Sequence, residues 1–228
     1  MTGRKSASQL SVFIAESMRG IDVYKGLLEG AAISQILKLL GVRVAYRIVT
    51  DRVRLGRAVK EAKRKSFTVF HLSCHANRDG MELTSGPDLQ WSKFAVLAGG
   101  RRSGTMLCLS ACEAGNHAVA IALKHGGSTP DYIVGPESEP TYAQTCVAWS
   151  VFYHSLARKG ISTKNMQHAL CRMNRAVDTD FLYRRWIGEK YVRYPPATND
   201  PHISGTTGDN RGDNRGQSRM ALPGFWRR

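Results

Sequence analysis

Apolar residues in this chain gather into short runs and helical stripes that alternate along most of its length. SVFIA (11–15) is a β-rich run of the kind that makes a buried strand, and it opens the core. Over 27–40, Leu27, Leu28, Ala31, Ile33, Ile36, Leu37 and Leu40 fall at helical spacing, and Gly41 follows as a stop signal. VRVAYRIV (42–49) alternates apolar residues with Arg and Tyr, which predicts a strand with one buried face. Asp51 is placed to cap a helix running to about Lys65. That helix would turn Val53, Leu55, Ala58, Val59 and Ala62 inward, leaving Lys60, Lys63, Arg64 and Lys65 at an exposed end where positive charge complements the helix dipole. FTVFHLS (67–73) and TMLCLSA (105–111) predict two further strands, with WSKFAVLA between them as a helix. A helix over 118–125, a strand DYIVG (131–135), a long amphipathic helix ending at Gly160 and another helix over about 162–176 complete the pattern.

Strand and helix in alternation imply an α/β fold, a mostly parallel central sheet flanked by helices on both faces, with ligands beyond the carboxyl ends of the strands. The first residues, 1–10, read as a flexible N-terminus, 11–194 as one folded domain, and 195–228 as a flexible basic tail. From Pro195 the chain turns to Pro, Gly, Asn, Asp and Arg, with GDNR in tandem at 208–215, a composition that builds no core. With 228 residues and 42% hydrophobic content the chain can bury one substantial core. No window approaches the roughly 18 apolar residues of a membrane span, and the start is too soon interrupted for a signal peptide, so a soluble, cytoplasmic protein without membrane contact is expected.

Charge and cysteine usage narrow the picture. Cys74, Cys108, Cys112, Cys146 and Cys171 lack the dense spacing of a secreted disulfide scaffold and read as reduced thiols. A formal charge of +15 and a pI near 10.0 would attract polyanions. The positive charge is spread along the chain, as at Arg101 and Arg102 or Arg184 and Arg185, and no nucleic-acid-binding module is legible. Nucleic-acid binding through the basic surface is therefore not expected as the primary activity.

The chemistry sits where two strands end, in SCHANRDG and ACEAGN. A thiolate is the reactive form of cysteine, generated by a histidine that takes its proton and later donates one to the leaving amine. His75 and Cys112, just past strands that would lie side by side about 5 Å apart, can meet that need. Cys74 and Cys108 read as structural, and His71, inside its strand, as a core or edge histidine. His71, Cys74, His75, Cys108 and Cys112 could cluster as metal ligands, but their spacing is wrong for zinc frameworks. Neither GxxxxGK[ST] nor GxGxxG follows the first strand, so no cofactor or metal is expected.

FHLSCHANRDG followed by LCLSACEAGN resembles the paired histidine and cysteine motifs of the CHAT branch of caspase-like cysteine peptidases. The stretch IVGPESEPTYAQTCVAWSVFYHSLARKG is similar to the same branch, so the resemblance spans about residues 11–175. It implies a caspase-like three-layer sandwich and a cysteine endopeptidase with Cys112 as nucleophile and His75 as general base and acid, with no third member required. The backbone N–H groups of Ala76 and Cys112 would hold the oxyanion, with Ala76 standing where the family usually has glycine. In related peptidases the pocket for the residue before the cut is lined by the position two before the cysteine, here Ser110, and by the loop after the fifth strand, which carries Glu137 and Glu139. An acidic pocket there would favour Arg or Lys. Glu16, Arg19 and Asp22, near the first strand, form another candidate pocket edge. The resemblance also implies a protein substrate, an activating partner protein and a bacterial defence, including antiviral, or signalling pathway. The alternative is a caspase-like module degraded at Ala76 that serves as a basic nucleic-acid or protein binding domain.

Overall fold

The computed structural model describes residues 10–194, except for the side chains of 101–104. The expected tail over 195–228 and all but Leu10 of the expected flexible N-terminus lie outside the described residues; Leu10 is buried.

The chain begins with β1 (Ser11–Ser17), a short helix α1 (Gly20–Tyr24), α2 (Glu29–Leu39), β2 (Arg43–Ile48), α3 (Arg52–Arg64) and β3 (Val69–Cys74). A small hairpin of β4 (Gly80–Met81) and β5 (Leu89–Gln90) leads into α4 (Trp91–Ala98) and β6 (Gly100–Ser110). Then come α5 (His117–His125), β7 (Ser128–Pro136), α6 (Tyr142–Lys159), α7 (Thr163–Val177), β8 (Phe181–Ile187) and β9 (Lys190–Tyr194).

The main sheet has seven strands in the order β2-β1-β3-β6-β7-β8-β9. The first five pair in parallel and the last two antiparallel, which makes a mostly parallel α/β sandwich of three layers. Alternation along each strand sends side chains to two separate cores. One face carries Phe13, Ala15, Leu72, Leu107 and Leu109 under α3, α4 and α5. The other carries Val12, Ile14, Val69, Met106 and Val134 under α2, α6 and α7, around the fully buried Trp149. Strand order reverses between β1 and β3, and the carboxyl end of such a switch point is where open α/β sheets bind ligands. Among the described residues no helix is long and apolar enough to cross a membrane.

Asp51 caps α3 as its sequence predicts, its carboxylate accepting from the Arg54 N–H at 2.8 Å. Leu55, Ala58, Val59 and Ala62 are buried, but Val53 is 65% exposed. The four buried residues repeat at helical spacing, whereas Val53 lies about 200° around the axis from Leu55 and faces outward. The sequence pattern assigns no element beyond about 176, where the structure forms the β8–β9 hairpin that closes one edge of the sheet.

Two glycines decide how the β6 exit packs against β7. A Cβ on Gly115 would lie 2.5 Å from the Gly135 carbonyl oxygen and 2.9 Å from that of Pro136, both backbone atoms that cannot swing away. Gly115→Ala is expected to destabilise the fold by about 1–3 kcal/mol through overpacking. A urea titration should show a lower midpoint with unchanged slope; an unchanged midpoint would mean that this backbone contact yields freely.

Candidate functional site

β3 and β6 are adjacent and parallel, with Ser73 opposite Ser110. His75 and Cys112 each stand two residues past that pair, just beyond the ends of the two strands. They line one cleft of about 260 Å3, bounded by Glu29 from α2 and by Pro140, Tyr142 and Thr145 at the start of α6. Thr141 fixes that helix end through a reciprocal capping box with Gln144.

Cys112 is half-buried in a turn held from behind. The Glu113 N–H donates to the Ser138 carbonyl at 3.0 Å and the Gly115 N–H to that of Pro136 at 2.7 Å, while Glu113 takes φ +56°. Burial, with the negative charges of Glu139 and Glu113 adding to it, pushes the Cys112 thiol above its ordinary range, although its own N–H opposes part of this. The resting sulfur is a neutral thiol.

The His75 Nε2 lies 2.8 Å from the Asp22 carboxylate and also contacts the Tyr142 hydroxyl. Burial alone would raise Asp22, but His75, Tyr142 and Arg19 together outweigh it and hold the carboxyl below its usual range. An ionised acceptor there keeps the imidazole proton on Nε2, which makes Nδ1 the nitrogen able to accept another. Burial pushes the Tyr142 hydroxyl well up, so it remains a donor. Arg19 meanwhile grips Glu82 with contacts of 2.6–2.9 Å.

Ala76 faces Met81 across a bridge flanked by the bonds Asn77 N–H to Gly80 and Glu82 N–H to His75. The pair is therefore of the non-hydrogen-bonded kind, and the ladder does not use the Ala76 N–H. Positive φ at non-glycine positions among the described residues falls on Ser66, Glu113 and Asp178, so alanine at 76 is unstrained.

The floor of the cleft is a buried acid. The Ser73 hydroxyl donates to one Glu29 carboxylate oxygen at 3.0 Å and the Ser110 hydroxyl to the other at 2.6 Å, while the Trp149 indole N–H holds Ser110 in place at 2.8 Å. Desolvation outweighs these donors and raises the Glu29 carboxyl to about 7.

Of the expected pocket residues, Ser110 lines the cleft and Glu137 does not. The Glu137 carboxylate is engaged by Arg193 at 2.5 Å and Arg184 at 3.5 Å. Glu139 is exposed, does not line the cleft, and acts on Cys112 through its charge. Glu16 turns inward, where it accepts from the N–H groups of Gly30 and Ala31 and from the Tyr46 hydroxyl. His71 is fully buried, bonded to the Tyr153 hydroxyl at 2.9 Å, and burial drives it down to about 3, so it stays neutral. Cys74 and Cys108 are buried, their thiols driven up by desolvation. Among the described residues no three His, Cys, Asp or Glu side chains gather as a metal-binding group.

No family model matches this chain, and no curated protein does either. A solved structure of a candidate phosphofructokinase from Staphylococcus aureus is similar over 74% of this chain and 92% of its own, at 10% identity and a TM-score of 0.36, a likeness too slight to support any inference.

Sequence reasoning passed over Tyr142 and Glu29 and gave Asp22 no tie to His75. Glu29 had a signal: it precedes Ile33 and Leu37 by four and eight residues, on the buried stripe of α2. A folded-state value near 7 against an ordinary 4.5 means that the native protein holds this proton more tightly. The resulting stabilisation is complete below pH 4.5 and is lost as pH rises through 7. Relative to Glu29→Gln, wild type should lose of the order of 3 kcal/mol across that window. Denaturant titrations of both proteins at several pH values check this; parallel curves would contradict the burial assigned to Glu29.

Proposed function

We propose that this chain is a cysteine endopeptidase of the caspase-like CHAT type. The observation that carries the reading is the shared register, which sets His75 and Cys112 at equivalent positions past two paired parallel strands and on one cleft. His75 takes the thiol proton as the Cys112 sulfur attacks the carbonyl carbon of a peptide bond. The carbonyl oxygen becomes an oxyanion facing the N–H groups of Cys112 and Ala76. The carbon–nitrogen bond then breaks, the leaving amine takes the proton from His75, and a thioester remains. Water adds to that thioester with His75 as base, and the carbon–sulfur bond breaks with return of the proton to sulfur.

Asp22 acts as a positioning residue, fixing the His75 ring and stabilising the imidazolium. The five free cysteines fit a reducing, cytoplasmic compartment. The partners are a protein substrate and an activating protein, within a bacterial defence or signalling pathway.

A thiol-directed peptide probe should label Cys112 in the folded protein and lose that label in Cys112→Ala. Labelling of Cys146 instead would sink the assignment. His75→Ala should lower kcat/KM by about 10²–10⁴-fold. Asp22→Asn should cost less, lowering kcat with KM little changed, and Asp22→Glu should restore part of the loss; an unchanged kcat in Asp22→Asn would remove Asp22 from the mechanism. If Cys112→Ser and His75→Ala left every activity intact while nucleic acid bound with steep salt dependence, the basic binding module would replace the peptidase.

A further inference from the structure

Glu29 is only 5% exposed, yet it lines the same cleft as Cys112. Its bonded partners at the cleft floor are neutral hydroxyls, those of Ser73, Ser110 and Thr145. Among the described residues, the ion pairs of the chain go to other carboxylates, namely Asp22, Asp51, Glu61, Glu82, Glu113 and Glu137. The charge that bears most on Glu29 is that of Glu16, which is also negative. A carboxylate taken out of water without a cation carries a desolvation cost of several kcal/mol, and three hydroxyl donors offset only part of it. Two carboxylate oxygens offer about four acceptor positions and three hydroxyls use them here, so acceptor capacity remains for a group arriving through the cleft. A neutral side chain arriving there would leave the cost in place, an acidic one would double it, and a cationic one would relieve it.

We propose that Glu29 receives a positively charged substrate side chain, so that the cleft takes peptides with Arg or Lys at the residue whose carbonyl Cys112 attacks. The inference rests on the peptidase reading for the position of the cut, but not for the recognition itself. Ser110 links the two: it stands two residues before Cys112, and its hydroxyl is fixed by Trp149 while donating to Glu29, so acceptor and nucleophile share one rigid strand end. It replaces Glu137 and Glu139 with an acid from α2 as the source of basic selectivity.

The test pairs binding with cleavage. Binding to the full-length Cys112→Ala protein is measured by calorimetry for two peptides that differ only in arginine against citrulline, its neutral near-isostere. The arginine peptide should bind about tenfold or more tightly. That advantage should vanish in the Glu29→Gln, Cys112→Ala protein and return in part with Glu29→Asp. Wild type is then offered a peptide library. Cleavage without preference for Arg or Lys would overturn the inference and leave the peptidase reading standing. Preferential arginine binding that Glu29→Gln abolishes, with no cleavage by wild type, would support the recognition and sink the peptidase. Equal binding of the two peptides overturns the inference whether or not the Glu29 variants fold.

Discussion

Ser73 and Ser110 are register partners on β3 and β6, and both donate to Glu29, so one carboxylate from α2 ties together the ends of two parallel strands. Whatever lies two residues further along each strand is thereby set side by side. The tie works only if α2 approaches closely, and Glu16 brings it in. Its carboxylate accepts from the Gly30 and Ala31 N–H groups, satisfying donors that a helix start leaves unpaired and meeting the positive end of the helix dipole. Gly30 permits the approach, because a Cβ there would come within 2.9 Å of the Ile14 side chain and 3.1 Å of the Glu16 carboxyl carbon. The contact Glu16 to α2, and then Glu29 to the two serines, thus runs from the first strand to the cleft.

Two acids near the cleft are treated in opposite ways, and the difference follows from their partners. Asp22 faces a histidine that can carry positive charge, with Arg19 near, and is held low. Glu29 faces hydroxyls in a drier place and is held high. Environments that push titratable groups apart assign them different work. A low acid beside an imidazole can steady a positive charge that appears and disappears there. A high acid on the cleft floor answers to what enters from outside.

The sequence carried most of the regular structure because alternating strands and helical stripes bury apolar area at fixed periods. The five parallel strands β1, β2, β3, β6 and β7 and the main helices from Glu29 to Val177 lie close to where periodicity puts them, whereas the two-residue strands β4 and β5 have no such signal. Periodicity fails where burial is polar or an element is short. Helix α1 has five residues, too few for a period to register. Arg184 and Arg185 belong to the positive charge that the sequence spreads along the chain, yet Arg184 is only 5% exposed on β8. At the cleft, His75 and Cys112 were singled out by motif and spacing and Ser110 by the family resemblance, and all three line it. The ties of Asp22 and Tyr142 to His75 were not legible, since they reach it from segments 53 and 67 residues away, and no local pattern encodes that meeting.

That buried arginine explains why the late hairpin matters to the cleft. Cys112 leaves β6 into a turn whose next residue, Glu113, takes a left-handed backbone that a non-glycine residue adopts at some cost. Such a conformation persists when its surroundings over-determine it. Here the Ser138 and Pro136 carbonyls hold the N–H groups of Glu113 and Gly115. Arg184 on β8 completes the clamp from the other side, its Nε donating to the Gly115 carbonyl at 3.1 Å. Desolvation lowers Arg184, and Glu137 supplies the opposing negative charge that keeps a guanidinium in so buried a place. The glutamate that sequence placed in the substrate pocket therefore supports the arginine that braces the cysteine's turn. Its acidity acts on the geometry of the site from outside the cleft.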